Sequence, residues 1–227
     1  SPVLANIYLH YVLDLWFQKI WRSRVARGDT IIVRYADDFV VGFKYRQDAE
    51  QFLSDLKDRL AKFSLELHPD KTRLIEFGKF ATVNRRARGE RRPETFDFLG
   101  FTHYCRTTRK GGFGLGRKPM RKRVNRTLKR IKIELRRRMH HNRYEVAKWL
   151  ARIMNGWLGY YAVPTSFRSL KRFMRRLLKM WCRMLRRRSQ KDRTTLASVG
   201  ALAHAFWPPL RIRHPWPTRR FAVTHSR

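Results

Sequence analysis

Acidic residues are the scarce component of this sequence: 17 Asp and Glu face 53 Lys and Arg, a formal net charge of +36. Yet 43% of the 227 residues are hydrophobic, which excludes a simple disordered basic tail and leaves room for a real core. A folded binder of polyanions is the class this balance points to. Cysteine is as sparse. Cys105 and Cys182 stand far apart with no CxxC or Cys/His cluster, which excludes a zinc module and a disulfide framework and leaves two core thiols. No apolar run approaches the about 20 residues that cross a bilayer, and no short apolar segment with a cleavage site stands at the start. The expectation is an intracellular protein without a membrane partner. Serine opens the chain, and the patterned stretch "SPVLANIYLHY" follows at once, so the native protein is expected to begin further upstream.

The few acids are unevenly placed. All but three of them precede residue 105, whereas 35 of the basic residues follow residue 104. Two jobs are implied, one per half. In the first half, Leu4, Ile7, Tyr8, Tyr11 and Leu15 recur at helical spacing, and "GD" at 28–29 introduces strand-like runs at 31–35 and 39–43. Phe52, Leu53, Leu56, Leu60 and Phe63 then mark a helix with Asp48 near its start. Short β-like runs "LELH" and "TRLIEF" flank a Pro69-Asp70 turn. A basic loop over 79–94 leads to "FDFLGFTHYC" and "RKGGFGLG", a second hairpin. Helices and strands alternate, so the fold class is α+β.

After the second hairpin the period becomes helical. Val124 to Met139, Val146 to Tyr161 and Leu170 to Leu185 form three amphipathic series, and residues 117–188 hold 25 Lys and Arg against Glu134 and Glu145. A helix near 194–206 and a proline-interrupted extended tail complete the chain. The expected divisions are 1–116, 117–188 and 189–227.

The chemistry concentrates in "VRYADDFVVGF" at 33–43. Two adjacent carboxylates, Asp37 and Asp38, sit in what reads as a buried hairpin, where each would be costly to desolvate unless compensated. Mg²⁺ is the natural remedy: a hard cation held by one or two carboxylates plus substrate phosphates. A pair of such ions about 3.5–4 Å apart serves phosphoryl transfer. An ordinary acidic turn is the plain alternative.

"YADD" between "IIVR" and "FVVGF" resembles the YxDD motif of reverse transcriptases, and further blocks follow in order. "SPVLANIYLHYVLD" resembles the segment after the nucleotide-site PQG block of group II intron reverse transcriptases. "LELHPDKTRLIEFGKF" is similar to the downstream palm block, and "FDFLGF" to the primer grip. "IMNGWLGYY" with the third basic helix is similar to the thumb, or maturase X domain, and the tail "RIRHPWPTRRFAVTHSR" to bacterial members. The resemblance implies a partial polymerase palm, with helices packed on an antiparallel sheet that carries the YADD hairpin, followed by a basic three-helix thumb. It implies Mg²⁺ at Asp37 and Asp38. Tyr35 and Ala36 would lie near the primer terminus, Lys71 near the nucleotide, and Leu99, Gly100 and Phe101 at the primer grip. The plain alternatives are strand packing for Tyr35, a surface lysine for Lys71 and hairpin packing for Phe101.

Arg126, Arg130, Arg137, Lys171, Arg172, Arg175 and Arg176 are candidates for tracking phosphates. Trp149, Trp157 and Trp181 read as core, and His140 and His141 as structural or surface residues. The implied partners are group II intron RNA, an RNA template with DNA primer, and dNTPs, in a bacterial cytoplasmic ribonucleoprotein. Oligomeric state, a homodimer included, stays open.

The family's earlier metal-binding Asp and nucleotide-binding Gln have no counterpart here. Asp14 and Asp29 are not substitutes, and no HNH spacing follows. This segment alone is therefore expected to be inactive. Three readings remain open: a polymerase and maturase portion, either of a group II intron or of another bacterial retroelement; a splicing cofactor that binds RNA without catalysis; and a generic basic protein associated with ribosomes.

Overall fold

The computed structural model describes residues 2–217. It forms two compact units, Ser1–Glu76 and Phe77–Arg227. The first opens with α1, Pro2–Leu9, whose course continues as wider π-helical winding over His10–Leu15 and Phe17–Val25. Strands β1, Thr30–Tyr35, and β2, Asp38–Phe43, pair antiparallel from Thr30↔Phe43 to Tyr35↔Asp38, and α2 follows at Arg46–Ala61.

Val12, Leu13, Phe17 and Trp21 meet Phe52, Leu56 and Leu60 of α2, with Ile32, Phe39, Val41 and Phe43 packed on them from the hairpin. Trp21 contacts Phe52 edge-on at 4.9 Å between centroids, while its indole N–H donates to Asp55 at 2.9 Å, the partner a buried Trp requires.

The opening helix expected from spacing forms, with its apolar stripe turned outward, and two other expectations for this unit are corrected. Leu4, Ile7, Tyr8 and Tyr11 do not face the core: they are 44–67% exposed and line a shallow apolar hollow with Ala5. Burial follows Val12, Leu13, Phe17 and Trp21 instead, because the wider winding turns another face inward. The hairpin is buried on one side only. Thr30, Ile32 and Arg34 lie on the inward phase of β1, whereas Ile31, Val33 and Tyr35 are exposed. Finally, "LELH" and "TRLIEF" form no strands; they run as irregular chain around the turn at Pro69. Asp48 is buried, and it accepts the backbone N–H groups of Arg27 and Gly28 at 3.0 and 3.2 Å, so it ties down the loop before β1.

The second unit begins with a helix where a loop was expected: α3, Ala81–Ala87. Arg85 anchors it by reaching Glu90 at 3.0 Å and Glu94 at 3.7 Å. Strands β3, Phe96–Phe98, β4, Phe101–Thr107, and β5, Phe113–Pro119, form an antiparallel meander in the order β3-β4-β5. Helices α4, Arg121–Arg137, α5, Arg143–Tyr161, α6, Phe167–Arg186, and α7, Leu196–Phe206, follow. The periodic residues build their core: Leu128, Ile131 and Leu135 meet Val146, Leu150, Trp157, Leu170, Phe173, Leu177, Trp181 and Leu185.

Asn142 caps α5 by accepting from the Tyr144 N–H, and Thr195 with Ser198 forms a capping box on α7. Trp207, just beyond α7, stacks on Trp181. The sheet and α7 thus cluster with α4–α6, and the compact units part after residue 76. Over residues 208–216 the chain forms no regular element, and the Arg213 and His214 N–H groups donate to the Ala162 carbonyl. Tail residues 218–227 lie outside the described residues. Among the described residues no helix is long and apolar enough to cross a membrane.

Candidate functional site

The β1–β2 connection is a two-residue turn. Tyr35 pairs with Asp38, so Ala36 and Asp37 are its central residues and Asp38 is the first residue of β2. Ala36 has φ 54°, a region that glycine usually fills. Asp37 and Asp38 are both exposed, and no ion pair among the described residues reaches either carboxylate. The expectation of desolvated acids is corrected: both carboxylates stand at the exposed end of the hairpin. Tyr35 is 66% exposed, so it does not fill a core. Lys71 is exposed too, in the turn after Pro69.

Two adjacent, open carboxylates suit the one- or two-carboxylate share of a Mg²⁺ site whose other ligands are phosphates and water. Among the described residues, no group of three or more His, Cys, Asp or Glu could hold a metal ion. The donor set therefore fits a part of such a centre.

One constellation beside the turn escaped the sequence reading. Arg34 donates from Nε and Nη2 to the two Asp14 carboxylate oxygens at 2.9 and 2.6 Å, and from Nη1 to the Ala36 carbonyl and to Asn6 Oδ1, both at 2.9 Å. Hydrogen bonding from Arg34 holds the Asp14 carboxyl below its ordinary value and raises Arg34 in return. The signal was present in the alternation: an arginine on the inward phase of a strand demands a partner.

In the second unit, Leu99 and Gly100 are the central residues of the β3–β4 turn, closed by Phe98↔Phe101, with φ 48° and 78°. Positive φ at both positions is the type I′ geometry that matches strand twist. The Tyr160 hydroxyl donates to the Leu99 carbonyl at 2.7 Å, the Met120 N–H donates to the Gly100 carbonyl at 3.0 Å, and Phe101 stacks on Tyr160. A Cβ on Gly100 would stand 3.2 Å from the Tyr161 hydroxyl. Burial pushes that hydroxyl's pKa up, so it stays protonated. The positive φ and the close Tyr161 hydroxyl both favour glycine at this position.

Arg126, Arg130 and Arg137 of α4 and Lys171, Arg172, Arg175 and Arg176 of α6 are all exposed. Arg137 pairs with Glu134 at 2.8 Å, and Arg176 donates to Asn125 at 3.1 Å. Trp157 and Trp181 are core residues, whereas Trp149 is half-buried beneath the Arg138 guanidinium at 4.9 Å. His140 and His141 are exposed. Cys182 is buried and Cys105 half-buried; both are free thiols.

The mixed helices and antiparallel strands, with an acidic turn open on the first hairpin, are consistent with the palm region of a reverse transcriptase. The family model described as reverse transcriptase (RNA-dependent DNA polymerase) matches residues 1–103, which include the Asp37–Asp38 turn and the Leu99–Gly100 turn. The domain type so matched implies RNA-directed DNA polymerase activity, a nucleotidyl transfer. No curated protein matches the chain.

Proposed function

We propose that the chain is a portion of a group II intron reverse transcriptase and maturase, which copies RNA into cDNA and binds intron RNA to assist its splicing. The observation that carries the polymerase part of this reading is the reverse transcriptase match over residues 1–103, because it encloses two open carboxylates at a hairpin turn. Asp37 and Asp38 would hold Mg²⁺. When bound, Mg²⁺ neutralises phosphate charge and activates the attacking hydroxyl in phosphoryl transfer. The chain's own part is to present both carboxylates from a short turn that Arg34 of β1 braces at the Ala36 carbonyl. The exposed bases of α4 and α6 supply phosphate contacts, whose affinity comes largely from counterion release. Their partners on this reading are structured intron RNA, recognised by shape and backbone, and the template with its primer.

Primer extension on an RNA template by the full-length gene product tests the polymerase role. Asp37→Ala is expected to abolish cDNA synthesis while RNA binding persists. Retained synthesis together with loss of splicing on neutralising Arg172 and Arg176 would assign the chain to RNA binding alone. A generic basic protein would show no preference for the intron in competition binding at moderate salt.

A further inference from the structure

We infer that Arg34, anchored by Asp14, is a positioning residue that fixes the turn presenting Asp37 and Asp38. The inference rests on the reading of those two carboxylates as metal ligands. Arg34 uses all three guanidinium nitrogens. Two of them grip both oxygens of Asp14, on the helical segment 20 residues upstream, and the third holds the Ala36 carbonyl together with Asn6. Paired N–H donors on one carboxylate make a planar, charge-assisted fork, which resists rotation as a single ion contact cannot. Its side chain is only 14% exposed and that of Asp14 24%, so water competes poorly for these bonds.

The carbonyl chosen matters. It belongs to Ala36, the residue with φ 54°, and its peptide group continues directly into Asp37. A residue with a Cβ occupies that conformation at a cost and persists there when its surroundings hold it. Arg34 supplies that hold from outside the turn, since the two-residue turn has no side-chain brace of its own. One planar group thus ties the orientation of the Asp37 peptide to the opening helix. A Lys at 34 would offer a single point charge and could not serve Asp14 and Ala36 in the same geometry.

The test compares the whole chain with Arg34→Gln, Arg34→Lys, Asp14→Asn and Asp37→Asn variants by two readouts. Amide hydrogen exchange is measured without metal, and Mn²⁺ binding is measured by water-proton relaxation. Arg34→Gln and Asp14→Asn are expected to raise exchange at residues 36–38 about tenfold or more, with α5 amides unchanged. Both are expected to weaken Mn²⁺ binding several-fold, and Arg34→Lys to fall between them and the parent. Unchanged exchange at 36–38 in Arg34→Gln and Asp14→Asn overturns the clamp. Faster exchange with undiminished Mn²⁺ binding, in a chain where Asp37→Asn does weaken it, overturns the positioning role. Mn²⁺ binding indifferent to Asp37→Asn overturns the metal reading, and with it the positioning role, while exchange still reports on the clamp. Should Arg34→Gln fail to fold, Asp14→Asn, which keeps the arginine, decides the same points.

Discussion

Three residues with positive φ carry the turns on which the functional reading depends, and two of them, Ala36 and Leu99, are not the glycine such turns usually recruit. Ala36 and Leu99 are each held by a long side chain reaching their carbonyls, Arg34 in one case and Tyr160 in the other. Gly100, next to Leu99, has no such freedom to vary. Its φ of 78° and the Tyr161 hydroxyl close to its Cβ direction predict that Gly100→Ala lowers stability by about 1–2 kcal/mol, measured by urea denaturation. Asp14 gives a prediction in pH. Its folded pKa lies below the ordinary 3.8, chiefly through Arg34 with His10 contributing, so its stabilisation is complete above that value and is lost as pH falls through the depressed one. Asp14→Asn should therefore be less stable near neutrality and lose less stability between about pH 5 and about pH 3 than the parent, as read from urea midpoints. The motif "YADD" was legible in the sequence because it is local. Arg34's partners were not, since Asn6 and Asp14 become its neighbours only through folding.

At the scale of elements, the helices were read well where burial obeys one period. Leu170, Phe173, Leu177, Trp181 and Leu185 were marked by spacing, and all are buried on α6. Leu177→Ala should cost about 2–5 kcal/mol, visible in thermal or urea unfolding, because Leu177 is fully buried among α4–α7. The opening helix shows where the same method misleads. Leu4, Ile7, Tyr8 and Tyr11 make a clean helical stripe, yet a change from α to π winding after Leu9 puts Val12, Leu13, Phe17 and Trp21 inside. Periodicity reports an apolar face; it does not report which neighbour meets it. Short elements were the other weakness. "LELH" has strand composition without forming a strand, and α3 arose in a polar stretch stabilised by ion pairs that no hydrophobic pattern announces.

For the whole molecule, the dominant quantity is its charge of +36, concentrated after residue 104. On the proposed RNA-binding reading, the exposed bases on α4 and α6, with few acids among them, predict a strong dependence of RNA affinity on salt. Replacing Arg172 and Arg176 together by Gln should leave the helical core intact, weaken RNA binding across sequences and reduce the slope of log affinity against log salt by about 2, read from filter binding at several salt concentrations. The separation of the acidic turn from a basic helical unit was visible in the distribution of charge. The boundary at residue 76 was not, because the β3–β5 meander joins the helices through Phe101, which composition alone would not assign to them. The central claim is that Asp37, at the open end of the first hairpin, serves RNA-directed DNA synthesis. Primer extension on an RNA template by the full-length gene product, with and without Asp37→Ala, tests it most directly: loss of cDNA synthesis with RNA binding retained is the predicted result, and synthesis at the parent rate would contradict it.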